Sequence, residues 1–175
     1  MENNLHNSYL FKALDAYPYN LEETLEALNY ALSYNSNDAH VLYLMGMVYA
    51  EQLQEYETAK DYFAEAIASK METPLVYPFY IQTLIFNEDY DEAQKLMDFA
   101  LNIKGTDKAF LQLIQGVLYE KLQKYKPAKK AYKKAIKLAV NNAFIDYTEK
   151  ELGRLKKKQN PNKSRKVKKR KKKSN

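Results

Sequence analysis

Two histidines, His6 and His40, are the only imidazoles in a chain of 175 residues that contains no cysteine. The missing thiols exclude a thiolate metal site, a cysteine nucleophile and a disulfide framework. His6 stands near the N-terminus and His40 opens a helical segment, and neither has partner residues at a catalytic spacing. No phosphate loop, G-x-S-x-G or H-E-x-x-H motif occurs. No catalytic, cofactor-binding or metal-ligating residue is therefore expected, and no enzyme. The acidic pairs Glu22-Glu23, Glu88-Asp89 and Asp91-Glu92 lack the glycine and distal glutamate of a calcium loop. Carboxylates at helix starts complement the positive end of the helix dipole by about 0.3–1 kcal/mol each, and that is the role expected for them.

Charge is the other chemistry available, and it is distributed unevenly. Residues 1–100 hold 17 acids and 4 lysines, residues 101–153 hold 5 acids and 11 lysines, and residues 154–175 hold 13 Lys and Arg with no acid. The net charge of +6 thus combines an acidic body with a basic C-terminal end. Lys126, Lys129, Lys130, Lys133, Lys134 and Lys137 recur at helical spacing without an acid among them. Lys163, Arg165, Lys166, Lys168, Lys169, Arg170, Lys171, Lys172 and Lys173 follow in a segment too polar to form a core, so disorder is expected from 159 to 175. Both groups are candidate polyanion-binding residues. Their partner could be nucleic acid, an acidic protein surface (the chain's own body included) or an anionic membrane surface. No aromatic is interleaved in the tail for base stacking.

The elements that carry these residues follow from a repeat. Ala31, Ala66, Ala100 and Ala135 stand 35, 34 and 35 residues apart. Leu28, Phe63, Met97 and Tyr132 precede them by three. Thr24, Ala59, Ala93 and Ala128 precede those by four, and Leu21, Tyr56, Tyr90 and Tyr125 by three more. Small, large and small residues at i, i+4 and i+7 lie on one face of a helix. A second helix precedes each block: Leu42, Met45, Gly46 and Tyr49 share a face, and Gly116 and Tyr119 repeat the last two 70 residues on. Glycine inside a helix costs about 1 kcal/mol relative to alanine, so its recurrence implies close approach of a neighbouring helix backbone. A helix-turn-helix unit every 34–35 residues is an α-solenoid.

These residues resemble the tetratricopeptide repeat family, whose pattern is W-x2-L-G-x2-Y followed by A-x3-F and a further alanine. The second repeat carries Leu42, Met45, Gly46, Tyr49, Ala59, Phe63 and Ala66. The fourth carries Gly116, Tyr119, Ala128, Tyr132 and Ala135, with Gln112 and Gln115 where apolar residues are usual. The third keeps Tyr90, Ala93, Met97 and Ala100 but has Pro78 and no glycine in its first helix. The first keeps Leu21, Thr24, Leu28 and Ala31. The resemblance covers about residues 5–140 and implies an all-α superhelix of about four repeats at 5–37, 38–73, 74–107 and 108–141. A capping helix at 142–158 and the basic tail complete it. Helices are expected near 5–17, 21–34, 39–53, 56–70, 75–87, 90–103, 108–123, 127–140 and 142–158. Asp38, and Asn141 or Asn142, are candidate N-caps. Ala143, Phe144, Tyr147, Leu152 and Leu155 are expected to cover the last repeat.

In this family the first helices of the repeats line a concave groove for partner peptides. Here that surface is apolar: Tyr43, Met47 and Ala50, then Gln82 and Phe86, then Phe110, Leu113 and Val117. An apolar peptide or helix from another protein is the implied partner, although a helix apolar on all sides can equally be covered by its neighbours. Some relatives grip the carboxylate-ended tails of chaperones through Lys, Asn and Arg. This groove offers Lys121 alone as a candidate cation, which argues against such a clamp. The expectation is a non-enzymatic protein-interaction scaffold with a basic anchoring tail. The alternative is a nucleic-acid- or ribosome-associated protein whose repeats orient that tail. The chain begins without a signal sequence, carries no apolar run long enough to span a membrane, and is expected in the cytoplasm.

Overall fold

The computed structural model describes residues 2–69 and 74–159, with side chains from residue 7 onward. Among these residues the secondary structure is helical, with no strand: α1 (Glu2–Ala16), α2 (Leu21–Tyr34), α3 (Ala39–Met47), α4 (Tyr56–Ala68), α5 (Val76–Phe86), α6 (Tyr90–Ala100), α7 (Lys108–Lys121), α8 (Tyr125–Leu138) and α9 (Asn142–Gln159). The fold is an all-α helical repeat of the solenoid class. Two compact units divide between Thr106 and Asp107, at the expected start of the fourth repeat. In the first unit α1 pairs with α2, α3 with α4 and α5 with α6, while α2 meets α3 and α4 meets α5 across repeats. In the second unit α8 packs against both α7 and α9.

The repeat columns are the core. Thr24, Ala59, Ala93 and Ala128, then Leu28, Phe63, Met97 and Tyr132, then Ala31, Ala66, Ala100 and Ala135 are all 0% exposed. The fourth column, Leu21, Tyr56, Tyr90 and Tyr125, is half-buried at the start of each second helix. The small residues let paired helices approach, and the large one fills the space beside them. Burial of the one polar member, Thr24, is offset because its Oγ1 donates to the carbonyl of Asn20 at 2.7 Å.

The glycines serve this packing in a way the spacing did not reveal. An added Cβ at Gly46 would meet the Phe63 ring at 2.6 Å, and one at Gly116 would meet the Tyr132 ring at 2.5 Å. The neighbour that requires glycine is thus an aromatic ring of the same repeat, not a helix backbone.

Helix ends follow local chemistry. Asp38 Oδ1 accepts from the backbone N–H of His40 at 2.8 Å and of Val41 at 3.1 Å. Asn141, of the two candidates, caps α9 by accepting from Ala143 at 2.8 Å. Pro78 and Pro127 each fall at the third residue of a helix, where no intrahelical N–H partner is lost. The sixth helix ends at Ala100 rather than near 103, because Thr106 Oγ1 donates to the carbonyls of Ala100 and Ile103 and closes a turn.

The helix expected at 39–53 is not uniform. After Met47 it continues as a π-helical segment, Val48–Leu53. The cause is an extra residue: Gly46 and Ala59 are 13 apart, whereas Gly116 and Ala128 are 12 apart. In the fourth repeat the Lys124 N–H donates to Tyr119 O; in the second, Glu55 N–H, one residue further along, donates to Tyr49 O. A widened turn absorbs one inserted residue without breaking the helix.

A candidate interaction groove and a basic face

In the first unit, α3 with its π-helical continuation, the first residue of α4 and the length of α5 enclose a cleft of about 290 Å³. Of the groove residues expected in the second and third repeats, Met47, Ala50, Gln82 and Phe86 line it. Tyr43 stands beside the cleft instead, half-buried, with its ring 6.2 Å from that of Phe63 and edge-on to Phe79 at 5.7 Å. Sequence reasoning missed Glu51, Gln54, Tyr56, Phe79 and Thr83, which complete the lining. Phe79 was legible, since it lies seven residues before Phe86 on the same helical face. Tyr56 belongs to a repeat column, yet it is half-buried and its ring faces Phe86 at 5.9 Å. Phe86 is 48% exposed.

The cleft carries one carboxylate and no cation. Glu51 is exposed, lies in the π-helical segment, and accepts a hydrogen bond from Tyr17 Oη at 2.6 Å. Burial and the charge of Glu51 together push the Tyr43 phenol up to about 12. Burial, the hydrogen bond to Glu51 and its charge raise Tyr17 further still.

Among the expected acidic caps, Glu22 and Glu23 lie in the first turn of α2, and Asp91 and Glu92 in that of α6. Asp89 stands at the N-cap of α6, at the helix start expected for it, but its side chain makes no capping bond there. It accepts instead from Lys60 Nζ at 2.6 Å and from Asn87 at 2.7 Å. These bonds hold the Asp89 carboxyl below the usual range and raise Lys60. The Lys60–Asp89 pair ties the second repeat to the third, and Lys60 also reaches Glu57 of its own helix at 3.1 Å.

The second unit is different. Leu113 is 6% exposed and joins Tyr132, Leu152 and Leu155 in the core, with Phe110, Val117 and Phe144 packed against them. The three groove residues expected in the fourth repeat are thus drawn toward the core under α9. Within α9, Thr148 is buried, while Ala143 and Tyr147, expected to cover the repeat, are exposed. Lys126, Lys130, Lys133, Lys134 and Lys137 are exposed on α8, and Lys129 is half-buried. Among the described residues none of the six is paired with a carboxylate. Lys163, Arg165, Lys166, Lys168, Lys169, Arg170, Lys171, Lys172 and Lys173 lie outside the described residues.

A buried ion pair fastens α9. Glu120 is 7% exposed and receives Arg154 Nη1 and Nη2 at 2.7 Å each, with Lys158 at 3.3 Å. Burial works to raise the Glu120 carboxyl, but the hydrogen bonds and charges of Arg154 and Lys158 outweigh it and hold it below the usual range. A cleft of about 320 Å³ between α7 and α8 is lined by Gln112, Gln115, Tyr119, Lys130 and Lys134 among others. Gln112 is 2% exposed, and its Nε2 has no hydrogen-bond partner.

Among the described residues, no group of three or more His, Asp or Glu could hold a metal ion, and no helix is long and apolar enough to cross a membrane. The tetratricopeptide repeat family model matches residues 39–70 and 111–142, the second and fourth repeats. The chain carries tetratricopeptide repeats. Solved structures extend the match in fold to all four repeats. PilF of Pseudomonas aeruginosa aligns with a TM-score of 0.74 at 18% identity, over 86% of this chain and 68% of that one. A thermophilic tetratricopeptide repeat protein of Thermus thermophilus aligns with a TM-score of 0.70 at 16% identity, over 85% and 84%. The first tetratricopeptide repeat domain of Spaghetti (RPAP3), solved bound to the HSP90 peptide SRMEEVD, aligns with a TM-score of 0.58 at 21% identity, over 71% and 95%. The search of curated proteins gave no match. With these repeats, the chain has the fold of a protein–protein interaction scaffold.

Proposed function

We propose that the chain is a non-enzymatic scaffold that holds an apolar peptide or helix of another protein in the first-unit groove, while its basic C-terminal part anchors the complex to a polyanion. The observation that carries the reading is the cleft between α3 and α5, where Met47, Tyr56, Phe79 and Phe86 are gathered beside exposed space. Aromatic and methionine side chains give a large contact area and adapt to the partner's shape. The bound peptide in the Spaghetti (RPAP3) domain supports the idea that this fold presents such a surface. The basic part would act through charge and raise the effective concentration of a partner already tethered.

The test is Phe86→Ala in the full chain. Its ring is half exposed, so the fold should tolerate the change while peptide binding falls roughly tenfold. An unchanged affinity rejects the groove. Removal of residues 159–175 should weaken binding to RNA, DNA or another polyanion and leave the helical content intact. Unchanged polyanion binding rejects the anchoring role.

The unpaired α8 lysines favour a second reading, in which the protein is associated with nucleic acid or ribosomes and the repeats orient the basic part. Filter binding across salt separates the two readings. A steep salt dependence that survives loss of the tail favours nucleic acid through the α8 face. A flat one with retained peptide binding favours the groove.

A further inference from the structure

We propose that the first-unit groove selects a cationic partner: a segment of another protein that sets an aliphatic or aromatic side chain among Tyr56, Phe79 and Phe86 and an adjoining Lys or Arg on Glu51. The proposal rests on the groove reading above and adds the charge of its occupant.

Glu51 is the only charged side chain in the lining, and among the described residues no lysine or arginine forms an ion pair with it. Two lysines of the first unit are committed elsewhere, Lys60 to Glu57 and Asp89 and Lys12 to Glu23. The residues around the groove reinforce its sign, since residues 1–100 carry 17 acids against 4 lysines. An apolar surface bordered by an unneutralised carboxylate attracts apolar segments of positive charge and rejects acidic ones.

The register of the repeats shows that this charge is particular to the second. Tyr17, Glu51, Phe86 and Lys121 recur 34, 35 and 35 residues apart. Tyr17 donates to Glu51 at 2.6 Å and so restrains the carboxylate without supplying a countercharge. The π-helical turn that accommodates the inserted residue spans Glu51 and ends at Gln54, a left-handed residue with φ 57° that also lines the cleft. One-turn π segments re-aim side chains and concentrate at functional sites. The acidic-ended peptide held by the Spaghetti (RPAP3) domain carries the opposite charge and would meet repulsion here.

The chain's own basic segment, residues 160–175, fits this chemistry poorly. It has the charge but only Val167 as an apolar side chain, so it cannot fill an aromatic cleft.

The test measures fluorescence anisotropy with the full chain and three labelled peptides in which Phe and Leu anchors alternate with Lys, with Gln or with Glu. The Lys peptide should bind roughly twofold to fivefold more tightly than the Gln peptide, as expected for an ion pair with an exposed carboxylate. The Glu peptide should bind weakest. Glu51→Gln should abolish the advantage of Lys over Gln. Equal binding of the Lys and Glu peptides, or an unchanged preference in Glu51→Gln, overturns the charge selection while leaving the groove in place. Failure of all three peptides, or their insensitivity to Phe86→Ala, overturns the groove itself. A free peptide of residues 160–175 that competes as strongly as the Lys peptide, and only when Glu51 is intact, overturns the assignment to another protein. The groove would then belong to the chain's own tail.

Discussion

In α3 the ring of Phe63 covers Gly46, and in α7 the ring of Tyr132 covers Gly116, with almost the same clearance. Around that shared joint the second and fourth repeats diverge in every surface property. The second helix of the former carries Glu57, Asp61 and Glu65 with Lys60 alone, and that of the latter carries six lysines and no acid. At the matching position of the first helices stand Glu51 and Lys121. Met47 of α3 borders a cleft with the half-exposed Phe86, whereas Leu113 of α7 clusters with Leu152 and Leu155 of α9 in the core. One packing rule thus supports two surfaces of opposite charge. Solenoid repeats allow this because each one is stabilised by its neighbours through buried columns, which leaves the outward positions free to vary.

The comparison can be broken most directly at the glycines. Gly46→Ala and Gly116→Ala should each destabilise by roughly 2–3 kcal/mol, since the Cβ must displace a fully buried ring. Gly153→Ala in α9 has no heavy atom within 4 Å of its Cβ and should instead stabilise by about 1 kcal/mol. Denaturant unfolding followed by far-ultraviolet circular dichroism gives all three. A harmless Gly116→Ala would show that the two joints are not equivalent.

Arg154→Ala should cost roughly 2–3 kcal/mol, because it leaves the buried Glu120 carboxylate with only the longer contacts to Lys158 at 3.3 Å and the Tyr132 hydroxyl at 3.4 Å. The change should increase protease cleavage within α9 and leave α3 and α4 untouched, which limited proteolysis with mass spectrometry resolves.

Gln112→Leu places in the fourth repeat the residue type that the second has at Leu42. Removing a buried amide nitrogen without a partner should stabilise by roughly 1–2 kcal/mol. A loss of stability would mean that the amide is satisfied in solution, by water for example.

The smallest effect is one of pH. Glu120 in the second unit and Asp89 in the first both have depressed pKa values in the folded chain. Their stabilisation is complete above the unfolded-state carboxylate values near ~4 and is lost as pH falls through the lower folded values. Urea midpoints should therefore drop below about pH 4, and Glu120→Gln should flatten the share of that loss that comes from the α7–α9 contact. A pH profile identical to that of the unaltered chain would assign the acid sensitivity to other carboxylates.

Much of the fold was legible because burial imposes a period. Alanines at 31, 66, 100 and 135 repeat because each sits where two helices touch, and a touching site tolerates only a small residue. The caps at Asp38 and Asn141 were legible because a short polar side chain there answers orphaned backbone N–H groups. The site was only half legible. Met47, Ala50, Gln82 and Phe86 emerge from helical spacing, whereas the core contacts of Leu113 with Leu152 and Leu155 do not, because spacing gives the face of a helix but not what covers that face. Asp89 looks like a dipole charge in the sequence, since its partner Lys60 lies 29 residues away on another helix.

Sequence by itself determined the repeat length, the columns, the helix pairs and the separation of acidic from basic halves. Each of these depends on local spacing or on composition, and neither needs three dimensions to be read. Tertiary structure decided which apolar face stays open and which is enclosed, that glycine makes room for a ring, and that an inserted residue becomes a π turn beside Glu51. Those outcomes depend on distances between residues far apart in the chain, and no periodicity in the sequence encodes them.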